Sequence, residues 1–233
     1  CYLAFGLTAT SLAPLVPLIE ADLGISHTAM GSIMGIWQLT YIVFAVPGGM
    51  LLDRVGSRYA LTLGVLFIGL SALLRGVAED YTSMLLAVML FGVGGPIVSA
   101  GAPKIITRWF HGQSRGLAMG IYMTGPAIGG IVSLTLTHSF LLPILGSWRN
   151  LMTLNAIIAI SIAVGWYLIA TNSRMRASET LSQTDPTPQL PAIKALLQQP
   201  AVRIILLMSI GVFLVNHGLN NWLPEILKNT GMT

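Results

Sequence analysis

The residues of this sequence that could do chemistry are polar groups set singly or in small clusters inside long apolar runs. The densest cluster is Asn216, His217, Asn220 and Asn221, with Ser209 preceding it. On a helix these four fall within about 140° of arc. Trp37, Gln38 and Tyr41 fall within about 100° of arc, and Thr8 and Ser11 also share a face. Amides, hydroxyls and an imidazole so placed suit hydrogen bonding to a polar solute. They either line a polar pathway or bond to a neighbouring helix, because an unpaired polar group in hydrocarbon is costly. The hydroxyls of Thr8 and Ser11 can equally bond back to their own helix.

Bond-making chemistry finds little support. His27, His111, His138 and His217 lie far apart, and the sequence contains neither H-E-x-x-H nor the phosphate-binding G-x-x-x-x-G-K-[ST]. Neither a metal nor a cofactor is expected. The single cysteine, Cys1, excludes an intramolecular disulfide. No Asp or Glu lies near the middle of any long apolar run, so a buried carboxylate that would attract a cation or carry a proton is missing from this chain.

The other chemically distinct stretch is Gly49-Met50-Leu51-Leu52-Asp53-Arg54-Val55-Gly56-Ser57-Arg58. It is a compact charged turn between the apolar runs 29–50 and 59–76. Asp53, Arg54 and Arg58 cannot sit cheaply in hydrocarbon, so they mark an aqueous face of a bilayer.

The elements that must position these groups follow from composition. Charged residues are 9% of the chain and hydrophobic ones 54%, against roughly 25% charged in soluble domains. Such a surface is that of a polytopic membrane protein. At about 20 apolar residues per crossing, the sequence predicts seven spans, at 2–19, 29–50, 59–76, 83–106, 116–142, 149–170 and 202–224. The long connection 171–201 contains Asp185-Pro186-Thr187-Pro188 and Pro191, so it cannot be one continuous helix. The expected organisation is a six-helix bundle over 1–170, a central loop over 171–201, and the first helix of a second bundle over 202–233. The chain starts within an apolar run and stops just past a span, and is read as a fragment.

Lys and Arg set the orientation. With 53–58 inside, Arg54, Arg58, Lys104, Arg108, Arg115, Arg174, Arg176, Lys194 and Arg203 are cytoplasmic, and only Arg75, Arg149 and Lys228 are outside. The net charge of +4 is scattered over short loops, which argues against a nucleic-acid partner. The partners expected are the lipid bilayer and a small solute.

The pattern G-x-L-x-D-R-x-G-x-R at 49–58 resembles the loop between the second and third helices of the major facilitator superfamily. Ser11-Leu12-Ala13-Pro14-Leu15-Val16-Pro17 followed by Asp22-Leu23-Gly24 is similar to its first-helix signature. Gly120 and Gly125-Pro126-Ala127-Ile128-Gly129-Gly130 resemble the fifth-helix motif often seen in its antiporters. Trp109-Phe110, Ser114 to Gly120, and Trp148-Arg149 match its fourth-to-fifth loop and the outer start of its sixth helix. Trp222-Leu223-Pro224 is similar to its cyanate and nitroimidazole permease branch and nearby organic-anion branches. One departure is in the fourth helix, where Met89 and Phe91 occupy positions that usually hold an Arg; a proton-linked role tied to that Arg loses its support.

The resemblance implies an all-α helical bundle with seven of an expected twelve transmembrane helices. It also implies alternating access, a cytoplasmic gate at Gly49, Asp53, Arg54, Gly56 and Arg58, and packing or sealing at Gly120, Gly125, Pro126, Gly129 and Gly130. Thr8, Ser11, Trp37, Gln38, Tyr41, Asn216, His217, Asn220 and Asn221 are the candidate substrate pathway. The expected activity is transport of a small polar, anionic organic solute, coupled to a proton, to a counter-solute or to neither. The expected carrier is not an enzyme, is monomeric when full length, and sits in a plasma membrane, the inner one in a bacterium. The alternatives are a multidrug/proton antiporter on the same fold and a receptor-like protein that keeps the fold without transport.

Overall fold

The computed structural model describes residues 1–171 and 195–229, without the side chains of 108, 216–222, 224–225 and 228–229. Two compact units divide the chain, Cys1–Leu181 and Ser182–Thr233. All regular elements among the described residues are helical.

The first span is helix in two pieces. α1 (Tyr2–Thr10) leads through a 3-10 turn, Ala13–Leu15, into α2 (Val16–Leu23). Pro14 and Pro17 have no N–H to give the carbonyls of Thr10 and Ala13, so the hydrogen-bond ladder is interrupted between the pieces. Gly24, at φ 61°, closes α2 by donating its N–H to the Glu20 carbonyl.

α3 (His27–Gly76) is 50 residues long and helical except at Gly56, where φ is 79° and ψ 167°. A straight helix of that length would run about 75 Å at 1.5 Å per residue, more than twice a hydrocarbon core of about 30 Å. Gly48 and Gly64 show how it is accommodated. They flank Gly56 symmetrically, and a Cβ on either would lie 3.1 Å from the same side chain, Ile97. The chain therefore doubles back at Gly56, and α3 is a hairpin holding the second and third spans. The sequence predicts a six-residue turn here. The structure reverses the chain at one glycine, and Asp53 and Arg58 stand on the helical turns to either side.

α4 (Tyr81–Trp109) is the fourth span, and starts at a capping box in which Asp80 and Ser83 satisfy each other's backbone N–H groups. The fifth span runs through α5 (Gln113–Leu136), a π turn (Thr137–Leu141) and α6 (Leu142–Leu145); α7 (Trp148–Ile169) is the sixth. The core of this unit is built from Leu15, Ile19, Ile33, Leu61, Ile68, Met84, Phe91, Leu151 and Met152. Its exterior is apolar as well. Ile42, Leu117, Ile121, Ile131 and Leu168 are each more than 60% exposed, which suits lipid. By length and composition Tyr2–Leu23, His27–Gly76, Tyr81–Thr107, Gln113–Leu145 and Trp148–Ile169 can cross a bilayer, α3 doing so twice. The second unit contains α8 (Pro200–Asn229), which covers the predicted seventh span.

Candidate functional site

At the charged turn, Asp53 accepts from Lys104 Nζ of α4 in a direct ion pair, with both side chains partly exposed. In the sequence, Lys104 figures only as a basic residue of the cytoplasmic side. The Arg58 guanidinium lies 4.2 Å from the Tyr167 ring centroid and 5.1 Å from that of Tyr59. This stacks the turn on the end of α7. Arg54 is exposed, and Gly49 faces open space.

Deeper in the bundle Thr8 and Ser11 come together, but around a residue the sequence places elsewhere. Both are fully buried. Ser11 donates to the Thr8 carbonyl at 2.9 Å, so the back-bonding alternative holds for Ser11. Arg75 Nη1 donates to the same carbonyl at 2.9 Å and lies 3.5 Å from Ser11 Oγ. The positive-inside count assigns Arg75 to the outer side; in the structure it stands on the last turn of α3, and its side chain folds inward and is 1% exposed. Its signal in the sequence was position: Arg75 precedes the loop acids Glu79 and Asp80 by a full helical turn and follows the small residues Ser71 and Ala72.

The Arg75 guanidinium lies 5.3 Å from the centroid of the Phe91 ring, one of the two positions where an Arg is usual. Phe91 joins an aromatic cluster, with centroids 5.3 Å from Trp37 and 5.0 Å from Phe5. Tyr41 packs edge-on to Trp37 at 6.2 Å and its hydroxyl pairs with Ser99 Oγ at 2.5 Å. Trp37 is thus 8% exposed and belongs to the core in this conformation. The Gln38 amide, oriented to satisfy its hydrogen bonds, donates to the Gly35 carbonyl at 2.7 Å in its own helix.

The fifth-helix motif packs on α1. A Cβ on Gly129 would lie 2.4 Å from the Leu3 carbonyl oxygen, and one on Gly6 would lie 2.2 Å from the Pro126 carbonyl oxygen. Gly125 approaches Leu3 and Gly130 approaches Thr10 more loosely, while Gly120 meets nothing within 4 Å. Gly6 carried no motif and was not singled out by sequence. Just above, His138 in the π turn pairs through Nε2 with the Pro14 carbonyl in the break of the first span. At the outer ends, Asp22 accepts from Trp148 Nε1 at 3.1 Å and from Arg149 at 2.9 Å, and Arg149 also donates to the Gly76 and Ala78 carbonyls. This ties the first, third and sixth spans together. The predicted cluster Asn216, His217, Asn220 and Asn221 is carried by α8, but its side chains lie outside the described residues.

A broken first helix, a doubled-back helical hairpin and polar groups held within apolar spans define a polytopic α-helical membrane protein. The chain belongs to the Major Facilitator Superfamily, whose family model matches residues 1–233. It is 31% identical over 166 residues to a probable L-galactonate transporter of Escherichia coli (strain K12), covering 71% of this chain and 36% of that one. It is 28% identical over 189 residues to a hexuronate transporter of Bacillus subtilis (strain 168), covering 81% and 42%. It is 27% identical over 233 residues to a quinolone resistance transporter of Acinetobacter baumannii, covering 91% and 53%. The chain thus spans between 36% and 53% of the length of these relatives. A bacterial homolog to the human lysosomal transporter Spinster, in an inward-facing, unoccupied crystal structure, superposes with a TM-score of 0.73 at 18% identity. That match covers 100% of this chain and 54% of that one. The likeness shows the fold.

Proposed function

We propose that this chain forms the first six-helix bundle, the central loop and the seventh helix of a carrier that moves a small, polar, anionic organic solute by alternating access. The observation that carries the reading is the sign of the interior. Among the described residues the one buried charged side chain is a cation, Arg75, and Asp and Glu stay at the ends of the spans. Likeness to transporters of galactonate and hexuronate supports the same solute class. In this reading Asp53, Arg54 and Arg58, with Gly49 and Gly56, form the cytoplasmic gate. Thr8, Ser11, Trp37, Gln38, Tyr41, Asn216, His217, Asn220 and Asn221 are the candidate pathway residues, and the carrier works as a monomer in a plasma membrane.

A second reading is a multidrug/proton antiporter. It is favoured by the tight seating of Pro126 and Gly129 on the first helix and by the likeness to a quinolone resistance transporter. An uptake screen of the full-length protein in proteoliposomes, with and without a pH gradient, separates the two. Saturable uptake of sugar acids is expected. Export of cationic drugs without sugar-acid uptake would overturn the anion reading in favour of the second.

A further inference from the structure

Arg75 occupies an unusual place for a charge. Its Nε is buried with no hydrogen-bond partner, and so is Thr8 Oγ1 beside it. The described ion pairs of this unit engage Glu20, Asp22 and Asp53 with other partners. The guanidinium is held instead by a carbonyl, a hydroxyl and an aromatic face. It is also enclosed. Its side chain runs inward from the last turn of α3 to the Thr8 carbonyl and is 1% exposed. Tying α3 to the Thr8 carbonyl would need only a neutral donor, whereas a full charge in that position carries a heavy desolvation cost.

We propose that Arg75 is a specificity-determining residue, a fixed positive charge set behind the break in the first helix whose field favours an anionic solute over its neutral counterpart. The inference rests on the anionic-solute reading above. Arg75 acts without touching the solute, because the side chain is enclosed by α1, α3 and α4. Its influence on a monoanion is calculable: at a separation on the order of 10 Å and an effective dielectric of about 20, one unit charge changes affinity by about 15-fold. A neutral solute of the same shape feels almost none of this. The end of α1 completes the arrangement, since the Thr8 carbonyl and the Ser11 hydroxyl hold the cation in place of a carboxylate that would cancel it.

The test uses the full-length carrier in proteoliposomes, with radiolabelled L-galactonate as the anionic probe and L-galactono-1,4-lactone as its neutral counterpart. Arg75→Gln keeps a donor for Thr8 and removes the charge. It is expected to raise the KM for L-galactonate about tenfold, with kcat and the KM for the lactone within about twofold. Arg75→Lys is expected to recover most of the lost affinity. Ser11→Asp keeps the guanidinium and gives it a counter-charge, so it is expected to raise the KM for L-galactonate as well. It also serves if Arg75→Gln does not fold. An unchanged KM in folded Arg75→Gln or Ser11→Asp carrier overturns the inference and leaves the anion reading intact, and so does an Arg75→Lys carrier as impaired as Arg75→Gln. Wild-type carrier that takes up the lactone and refuses L-galactonate overturns the anion reading itself.

Discussion

Gly129 and Asp53 show how differently two motif residues can work. Gly129 is a packing residue. A side chain there meets backbone of α1 rather than a movable side chain, so Gly129→Leu is expected to cost at least about 1–3 kcal/mol through overpacking. Gly120→Ala, in open space, should stay within about 0.5 kcal/mol of wild type. Thermal unfolding of the purified protein in detergent reads both, and equal losses would remove the packing role. Asp53 contributes little to stability, since a partly exposed pair with Lys104 is worth about 0–1 kcal/mol. If Asp53 is part of a gate, Asp53→Asn should unfold at nearly the wild-type temperature while initial transport rates fall at least about tenfold, the loss expected of a charge-assisted contact. Normal rates per folded carrier would reduce the turn to a topology signal. Recovery in the swapped pair Asp53→Lys with Lys104→Asp would assign the effect to this contact rather than to one with the second bundle.

The elements carry a different kind of consequence, because their ends are fixed by local chemistry. α4 starts where the Asp80 carboxylate accepts the Ser83 N–H at 2.7 Å. These bonds to Ser83, backbone first, hold the Asp80 carboxyl below the ordinary carboxylate range. A carboxyl depressed on folding stabilises the protein above its unfolded value of about 3.9 and loses that contribution as pH falls through the lower folded value. Wild type is therefore expected to lead Asp80→Ala by a constant margin above about pH 5, and the ionic part of that margin should shrink below about pH 4. Unfolding of both proteins from pH 3 to 7 measures it; a margin independent of pH would mean that Asp80 caps without its charge. The break in the first span is the other element-scale feature. Arg75 and His138 reach the carbonyls of Thr8 and Pro14, on either side of it, from two other spans.

At the scale of the molecule the question is which face is which. With the charged turn cytoplasmic, the loop at Ser114 lies inside and the ends at Glu79 and Asn150 lie outside. All three positions are exposed. In a Cys1→Ser background, cysteines at Glu79 and Asn150 should react with an impermeant thiol reagent added to intact cells, and a cysteine at Ser114 should react only after permeabilisation. The opposite pattern would invert the topology. Exposed apolar residues such as Ile42 and Leu168 fit so low a charge content: a bilayer replaces the polar surface that a soluble bundle of this size would need.

Composition and hydrophobic run length alone determined that this is an all-helical membrane protein, because a span must satisfy its backbone internally and reach across a fixed thickness. The charges around Gly56 also marked the turn between the second and third spans. That some helix packs on the fifth was legible in Gly125, Pro126 and Gly129, since glycines remove the side chains that keep helices apart; that it is the first was decided by the packing. What the sequence could not decide was the direction and partner of single side chains. Arg75 reads as an outer-loop charge in one dimension, because a long side chain on the last turn of a span can lie either way along the helix. Only the placement of Thr8, Ser11 and Phe91 from two other helices turns it inward. Lys104 likewise counts as one basic residue among nine until the packing of α4 on α3 sets it against Asp53. The pairings of Arg75 with Thr8 and Ser11 and of Lys104 with Asp53 join residues more than fifty positions apart, and a contact of that range is a property of the packed bundle, with no periodicity to announce it.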